Sequence, residues 1–166
     1  EWKEELQQHT KEAEKIVQGY LSEETGHQKL LIEASNYSVL VGGKRLRPMI
    51  MLESFKAFDG TGNVVEPFMA ALEMIHSGSL VHDDLPCMDN DEYRRGNLTT
   101  WKKYGYDMAV LAGDKLFIYA FETAAKAFAL TDRADLVGKA ISILANKAGI
   151  YGMIGGQSVD VEYTDR

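Results

Sequence analysis

The residues best suited to chemistry in this sequence are the carboxylates between Asp83 and Glu92. Five Asp or Glu side chains fall within these ten residues. Like charges so close together repel one another, so a cation is expected to hold them. Magnesium suits such a cluster, because it binds one or two carboxylates together with the phosphates of a substrate. A calcium EF-hand suits it poorly, since Leu85, Pro86 and Cys87 interrupt the alternating ligand positions of that loop.

The alternative to a metal site is an acidic loop that is simply hydrated. The residues before Asp83 argue against it, because from about Pro67 they form an apolar helical pattern that belongs in a protein interior. Carboxylates that follow directly on a buried helix are held in place by that helix. The acidic segment is therefore predicted to bind metal.

A basic segment, Gly42 to Pro48, is the second candidate. Lys44, Arg45 and Arg47 follow two glycines that permit a tight turn, and a helix is predicted to begin at about Pro48. The N-terminal amides of a helix add partial positive charge. Arginine makes forked contacts with phosphate oxygens, and lysine supplies a point charge. The segment predicts a diphosphate-binding loop, although the motif taken alone fits a hydrated basic loop better.

Three more side chains are candidates because of where they stand relative to the acidic segment. Arg94 and Arg95 follow it closely. They either form ion pairs with it, worth little if exposed, or line the same site and share phosphates with the metal. His76 lies seven residues before Asp83, on the same helix face and about 10 Å away along the axis. A lone helical histidine is more often structural, so the sequence by itself assigns it no role.

The elements that must position these residues are predicted to be helices. Gly42 ends one helix, Pro48 begins another, Pro86 stops a third, and Asp132 caps a fourth. The stretch 86–100 is polar and mostly irregular, and no alternating pattern is long enough for a strand, so the predicted fold class is all-α. The predicted helices cover residues 2–20, 30–41, 48–58, 67–84, 107–130 and 133–148, followed by a weak helix or a kink over 149–156.

The composition of the chain restricts which binding partners and which cellular compartment are expected. The chain has 166 residues with 45% hydrophobic content, enough for one packed domain. Its formal charge of −7 argues against nucleic acid as a partner. The single cysteine excludes an internal disulfide, and no apolar run reaches membrane-spanning length. A cytoplasmic protein that is not integral to a membrane is expected.

The motifs, in this order, resemble those of the trans-isoprenyl diphosphate synthases, the family of farnesyl and geranylgeranyl diphosphate synthases. The resemblance runs from about residue 37 to residue 162. The first aspartate-rich motif of this family has a longer, bacterial and plant-like form, DDxxxxD, which Asp83, Asp84 and Asp89 match. The matching segments are GGKRLRP at 42–48, EMIHSGSLVHDDLPCMDND at 73–91, YRRG at 93–96, LAGD at 111–114 and GGQSVDVE at 155–162.

The resemblance implies a metal site of Mg²⁺ ions that also hold an allylic diphosphate. Asp83 and Asp89 would be the ligands, with Asp84 in support. Gln157 and Asp160 would lie near the metal ions on a facing helix.

The resemblance also implies which side chains bind the two substrates. Arg94 would contact the allylic diphosphate, and Gln157 would lie close to it. The residues expected to hold isopentenyl diphosphate are Lys44, Arg47, His76 and Arg95. Lys44, Arg94 and Arg95 are thus the expected catalytic residues. The allylic diphosphate would ionise, the double bond of isopentenyl diphosphate would attack the carbocation, and a proton would be lost.

The expected architecture is a helical bundle of the isoprenoid synthase type, normally a homodimer. Residues 1–166 would be the N-terminal part of one such domain, because the family's second aspartate-rich motif and its Lys-Thr pair do not occur in this sequence. The chain is expected to be a piece of a longer enzyme, inactive alone, or an incomplete relative. A non-catalytic partner subunit is the alternative function. A terpene cyclase is disfavoured, because a cyclase has no isopentenyl diphosphate for the basic segment to bind.

Two positions depart from the family pattern or bear on its product. Asn97–Trp101 stand where the family usually has Lys-Pro-Thr-x-His, which weakens the assignments around that loop. Gly78 lies five residues before Asp83, at a level where bulky side chains help to close the floor of the elongation pocket. The glycine either leaves that pocket open or permits close packing of two helices.

Overall fold

The computed structural model describes residues 2–164, and helices dominate them, which confirms the all-α prediction. The chain divides into two compact units, one ending at Ala127 and the other beginning at Phe128. The α-helices are α1 (Trp2–Gly19), α2 (Lys29–Leu40), α3 (Leu46–Ala57), α4 (Glu66–Asp83), α5 (Thr100–Tyr104), α6 (Tyr106–Ala125), α7 (Ala134–Ala148) and α8 (Met153–Thr164). None of the helices within 2–164 is both long and apolar enough to cross a bilayer.

Helix α4 is the central element of the first unit. Its apolar residues Met69, Ala70 and Met74 are completely buried, as expected for a helix that is hydrophobic on most of its surface. The helix packs mainly against α6, and also contacts α1, α2 and α3. Helix α4 therefore carries the acidic segment at its C-terminal end on a well-fixed support.

Gly78 lies where α4 crosses α6. A Cβ atom at this position would be 3.2 Å from the Cβ of Leu116 and 3.3 Å from the carbonyl oxygen of Gly113. The glycine is buried against α6, so the structure supports the close-packing explanation for it.

Several helix boundaries differ from the prediction. Helix α3 begins at Leu46, two residues before Pro48, and Arg45 precedes it in the left-handed region with φ 49°. Helix α6 ends at Ala125, and residues 126–130 form a 3₁₀ helix in place of its predicted last turns. The prediction that Asp132 caps α7 is wrong, since α7 begins after Arg133, whose amide donates to the hydroxyl of Thr131 instead at 3.2 Å.

A small antiparallel hairpin in the segment after α4 was not predicted. Strands β1 (Tyr93–Arg94) and β2 (Asn97–Leu98) flank a two-residue turn in which Arg95 and Gly96 both have positive φ, 51° and 79°. Such a turn matches the twist of the paired strands. Two-residue strands are too short to produce an alternating pattern, so no strand was predicted. The hairpin fixes Arg94 and Arg95 in a defined geometry.

The second unit contains the C-terminal helices. Helix α7 ends at Ala148, residues 149–152 form turns, and α8 begins at Met153. The stretch 149–156, predicted as a weak helix or a kink, is thus a break over 149–152 followed by the first turn of α8. Val137 is the buried residue of α7.

Candidate functional site

A cleft in the first unit brings the acidic, basic and arginine motifs together. The cleft is partly open to solvent. One wall of the cleft is a single face of α4, whose residues recur at spacings of three and four. They are Glu73, His76, Ser77, Leu80, Val81 and Asp84. The other walls come from the end of α2, the hairpin and the start of α5, and consist of Tyr37, Ser38, Val41, Gly42, Arg94, Arg95, Leu98, Thr99 and Thr100.

His76 lies among cations on the α4 wall. Its Nε2 is 3.5 Å from Nη1 of Arg47, so the basic segment and α4 meet here. Burial lowers the pKa of His76, and the charge of Arg47 lowers it further, with smaller contributions of the same sign from Arg95 and Arg94. Glu73, one turn earlier, acts in the opposite direction. The positive potential at this imidazole is what an anionic ligand would relieve.

Arg95 connects the hairpin to the basic segment. Its Nη1 donates to the carbonyl oxygen of Gly42, and Asn97 donates to the carbonyl oxygen of Val41 at 3.4 Å. A Cβ on Gly43 would be 2.9 Å from the same Arg95 nitrogen, so glycine is needed for this approach. Lys44, the next residue, is exposed. His76 and Arg95 line the cleft, and Arg47 contacts His76. That these residues and Lys44 bind one diphosphate stays a prediction.

Arg94 and Asp84 form a forked ion pair on the side of the cleft near the acidic segment. Nε and Nη2 of Arg94 donate to the two carboxylate oxygens at 3.0 and 2.7 Å. Asp84 is only 3% exposed, and its hydrogen bonds are the main cause of the raised pKa of Arg94. Both oxygens of Asp84 therefore already accept hydrogen bonds from a cation.

Asp83 and Asp89 lie on a turn that is closed by backbone hydrogen bonds. The amide of Asp89 donates to the carbonyl of Asp83 at 2.9 Å, and the amide of Asp91 donates to the carbonyl of Asp84 at 3.1 Å. Asp83 is half-buried and Asp89 is exposed. No three Asp, Glu, His or Cys side chains within 2–164 are grouped as a complete metal cage. Two carboxylates on one turn nevertheless fit Mg²⁺, which completes its shell with substrate phosphates and water.

Arg45 is not part of the cationic surface that the basic segment was predicted to present. Its side chain is 1% exposed and lies between carboxylates from two helices, Glu14 of α1 and Glu73 of α4. Local sequence carried no signal of this arrangement, because Glu14 and Glu73 are 31 and 28 residues away from Arg45 in the chain.

Gln157 and Asp160 lie on α8, in the second unit. Gln157 is half-buried and Asp160 is exposed, and the carbonyl of Asp160 accepts a hydrogen bond from the hydroxyl of Thr164 at 2.7 Å. Their place near the metal ions stays a prediction.

Comparison with known proteins decides which family has this arrangement. The family described as polyprenyl synthetase matches residues 28–166, which contain all the motifs named above. The chain belongs to the polyprenyl synthetase family. Among curated relatives, geranylgeranyl diphosphate synthase of Cyanophora paradoxa is 43% identical over 152 residues, which cover 90% of this chain and 50% of that protein. Farnesyl diphosphate synthase of Micrococcus luteus is 43% identical over 135 residues, 81% of this chain and 45% of that protein.

Solved structures agree with this assignment at the level of the fold. A geranyltransferase of Legionella pneumophila matches 99% of this chain with a TM-score of 0.91 and 32% identity. An FPP/GFPP synthase of Zymomonas mobilis matches 96% with a TM-score of 0.88 and 35% identity. The chain has the all-α isoprenoid synthase fold of these proteins. It spans 57% of both solved chains, and about half or less of the two curated relatives.

Proposed function

We propose that the polyprenyl synthetase family member containing this chain condenses isopentenyl diphosphate with an allylic prenyl diphosphate, giving farnesyl or geranylgeranyl diphosphate. The observation that carries the proposal is the cleft, whose charged lining includes His76, Arg94 and Arg95. Arg47 contacts His76 at 3.5 Å, and Asp84 pairs with Arg94 on the side near the acidic segment. Two phosphate-binding groups around one cleft suit a reaction between two diphosphates. The names of the relatives support the same reaction class.

The proposed roles divide the cleft between the substrates. Lys44, Arg47, His76 and Arg95 would bind the diphosphate of isopentenyl diphosphate, where the basic segment and the hairpin converge. Arg94 would contact the allylic diphosphate, and Asp84 would hold the Arg94 guanidinium in the orientation for it. Asp83 and Asp89 would hold Mg²⁺, which would supply positive charge to the leaving diphosphate.

The proposed reaction depends on positive charge close to the allylic diphosphate, which gains negative charge as it leaves. The bond between C1 of the allylic substrate and its diphosphate oxygen breaks, and arginines close to that oxygen stabilise the departing anion. The double bond of isopentenyl diphosphate then forms a new carbon–carbon bond to C1. Loss of a proton restores a double bond and completes the transfer.

The proposal also covers the extent of the domain, the position of Gln157, the oligomeric state and the cellular compartment. Residues 1–166 would be the N-terminal part of one isoprenoid synthase domain, with Gln157 near the metal ions, and the enzyme would act as a homodimer. Leu111 and Ile118 support the dimer, because they form an exposed aliphatic stripe on α6, seven residues apart. The single cysteine fits a reducing, cytoplasmic setting.

A turnover assay of the natural full-length protein tests the proposal. With Mg²⁺, isopentenyl diphosphate and geranyl diphosphate, we expect release of inorganic diphosphate and a longer prenyl product. Asp83→Asn and Asp89→Asn are expected to lower kcat by about a hundredfold or more, since each removes a metal ligand. Asp59→Asn serves as the matched control, because Asp59 is an exposed loop carboxylate with φ 59°, a conformation that asparagine tolerates. Absence of prenyl transfer by the wild-type protein would contradict the proposal.

A further inference from the structure

Arg45 is the most completely enclosed cation of the cleft region. Nη1 donates to Oε1 of Glu73 at 2.7 Å, and Nε and Nη2 donate to the two carboxylate oxygens of Glu14, the second at 3.2 Å. Nη2 also donates to the carbonyl oxygen of Val39 at the end of α2. The guanidinium thus joins α1, α2 and α4 through every one of its nitrogens.

Arg45 supplies the positive charge that pairs with Glu73. One guanidinium faces two carboxylates, and the second of these, Glu73, also lines the cleft while being only 3% exposed. Glu73 is three residues before His76 on the same face of α4, close enough to affect the His76 pKa. An unpaired carboxylate at that point would repel a diphosphate bound by Arg47, His76 and Arg95.

Arg45 also sets the path of the backbone from which the basic side chains extend. It has φ 49°, an unfavourable conformation for a residue with a side chain, and its carbonyl accepts the first helical hydrogen bond of α3 from Met49 at 3.1 Å. Lys44 precedes it and Arg47 stands in the first turn of α3. A buried side chain with fixed partners holds this conformation in place.

We propose that Arg45 is a positioning residue for the diphosphate of isopentenyl diphosphate, which it does not touch. It neutralises Glu73 at the cleft, and it fixes the turn that presents Lys44 and Arg47. The inference rests on the proposed function, since the proposed substrate of that site is the ligand concerned.

The inference extends the site to helix α1. Glu14 belongs to α1, which ends before residue 28, where the match to the polyprenyl synthetase family begins. Nε of the Arg45 guanidinium donates to the Glu14 carboxylate, whereas Nη1 donates to Glu73. Helix α1 therefore has a part in holding the basic segment in addition to its contribution to the core.

A mutant cycle in the natural full-length protein tests the inference. Arg45→Gln removes the charge that neutralises Glu73, and we expect the Kd for isopentenyl diphosphate to rise about tenfold or more. The KM for geranyl diphosphate should change by less than about twofold, because the partner of Arg94 is Asp84, whereas the carboxylate partners of Arg45 are Glu14 and Glu73. The double variant Arg45→Gln with Glu73→Gln should recover most of the lost affinity, since no unpaired carboxylate is left in the cleft.

Controls separate this role from a general loss of structure. Arg133→Gln removes an exposed arginine that pairs with Asp135, and it should leave both substrates unaffected. Arg45→Lys keeps the charge without the fork, so its Kd should lie between those of the wild type and Arg45→Gln. It also serves as the test variant if Arg45→Gln does not fold, and its affinity loss should then again be relieved by Glu73→Gln.

The binding measurements distinguish failure of the Arg45 role from failure of the proposed function. If the wild type binds isopentenyl diphosphate and the Arg45 variants bind it equally well, or if Glu73→Gln restores nothing, the positioning role is overturned while the proposed function stands. If the wild type itself binds no isopentenyl diphosphate, the proposed function fails, and the role of Arg45 fails with it.

Discussion

Adjacent aspartates at the end of α4 have different environments because successive helical residues point in different directions. Asp84 continues the face of α4 that lines the cleft, where both of its oxygens accept hydrogen bonds from Arg94. Asp83 lies off that face, half-buried, on the turn closed by Asp89. The same residue type thus occurs in two settings, on a closed turn at Asp83 and as the support of an arginine at Asp84.

These environments predict opposite effects of two similar substitutions. Asp83→Asn should raise the Mg²⁺ concentration needed for half-maximal rate by about tenfold more than Asp84→Asn does, a difference of about 1.4 kcal/mol. Asp84→Asn should lower the free energy of unfolding by about 2 kcal/mol, because a buried charge-assisted pair is lost. Magnesium titration of the rate and urea unfolding provide the two measurements. The reverse ranking in either would show that Asp84 is the ligand.

Lys115 predicts a pH dependence of stability. It is half-buried on α6, its Nζ donates to the hydroxyl of Ser22 at 3.0 Å, and burial lowers its pKa from 10.5 to about 8. Between about pH 8 and 10.5 the unfolded chain keeps a proton that the folded protein has lost, so stability rises with pH through this window. The free energy of unfolding of the wild type should therefore increase relative to that of Lys115→Met between neutral pH and the upper part of the window.

Urea unfolding at a series of pH values checks this expectation. Lys126→Met is the matched control for loss of a positive charge, since Lys126 is an exposed lysine near the same aromatic ring of Tyr119 as Lys115. A difference between the wild type and Lys115→Met that is constant with pH would contradict the prediction.

The sequence identified candidate residues by their type and spacing. His76 and Arg95 line one cleft and Arg47 contacts His76, although the three are distant in the chain, and their role in binding stays a prediction. Arg45 could not be separated from its basic neighbours, because its partners Glu14 and Glu73 are 31 and 28 residues away. Which cation of a basic segment turns inward is decided by tertiary packing, and no local pattern records it.

At the scale of elements, the crossing of α4 and α6 depends on two glycines. Gly78 on α4 and Gly113 on α6 bring the helices close together, and the ring of His82 lies over Gly113, with Nε2 2.9 Å from the carbonyl oxygen of Val110. A Cβ on Gly113 would overlap that ring. The close approach connects the helix that carries the acidic segment to its main support.

Gly113→Ala is accordingly expected to lower the free energy of unfolding by about 1–3 kcal/mol, because the His82 ring must move and overpacking has a cost of this order. Gly138→Ala on α7 is the matched control. It is an exposed helical glycine with no heavy atom within 4 Å of an added Cβ, so alanine should stabilise by about 0.5–1 kcal/mol. Thermal and urea unfolding measure both values. A stabilising Gly113→Ala would show that the helices are less closely packed than described.

The sequence predicts where the helices lie better than it predicts the residues at which they begin and end. The 3.6-residue periodicity extends over several turns in α1, α4 and α6, whereas a helix end depends on one or two contacts. Thr131, in place of the predicted Asp132, accepts the hydrogen bond from the Arg133 amide that precedes α7. The hairpin is held in part by the hydroxyl of Tyr37, which donates to the carbonyl of Leu98 at 2.7 Å, a contact across 61 residues.

At the scale of the whole molecule, charge is distributed unevenly. The chain has a formal charge of −7, yet arginines and a histidine converge on one cleft. A local positive field in an acidic protein attracts small anions and repels larger polyanions that would contact the remaining surface. This distribution suits diphosphate substrates.

The last expectation concerns self-association through α6. Leu111 and Ile118 are 50% and 73% exposed and share one face of this helix, although they are large aliphatic residues. Pairing of this face with that of a second copy would bury both stripes, and burial of one isoleucine contributes about 1.5–3 kcal/mol. Ile118→Lys should therefore weaken dimerisation by at least about tenfold in sedimentation experiments. Phe58→Lys is the control, since Phe58 is 88% exposed and follows a different helix, α3, and it should leave the dimer intact. A dimer that survives Ile118→Lys, or one that Phe58→Lys disrupts equally, would place the interface elsewhere.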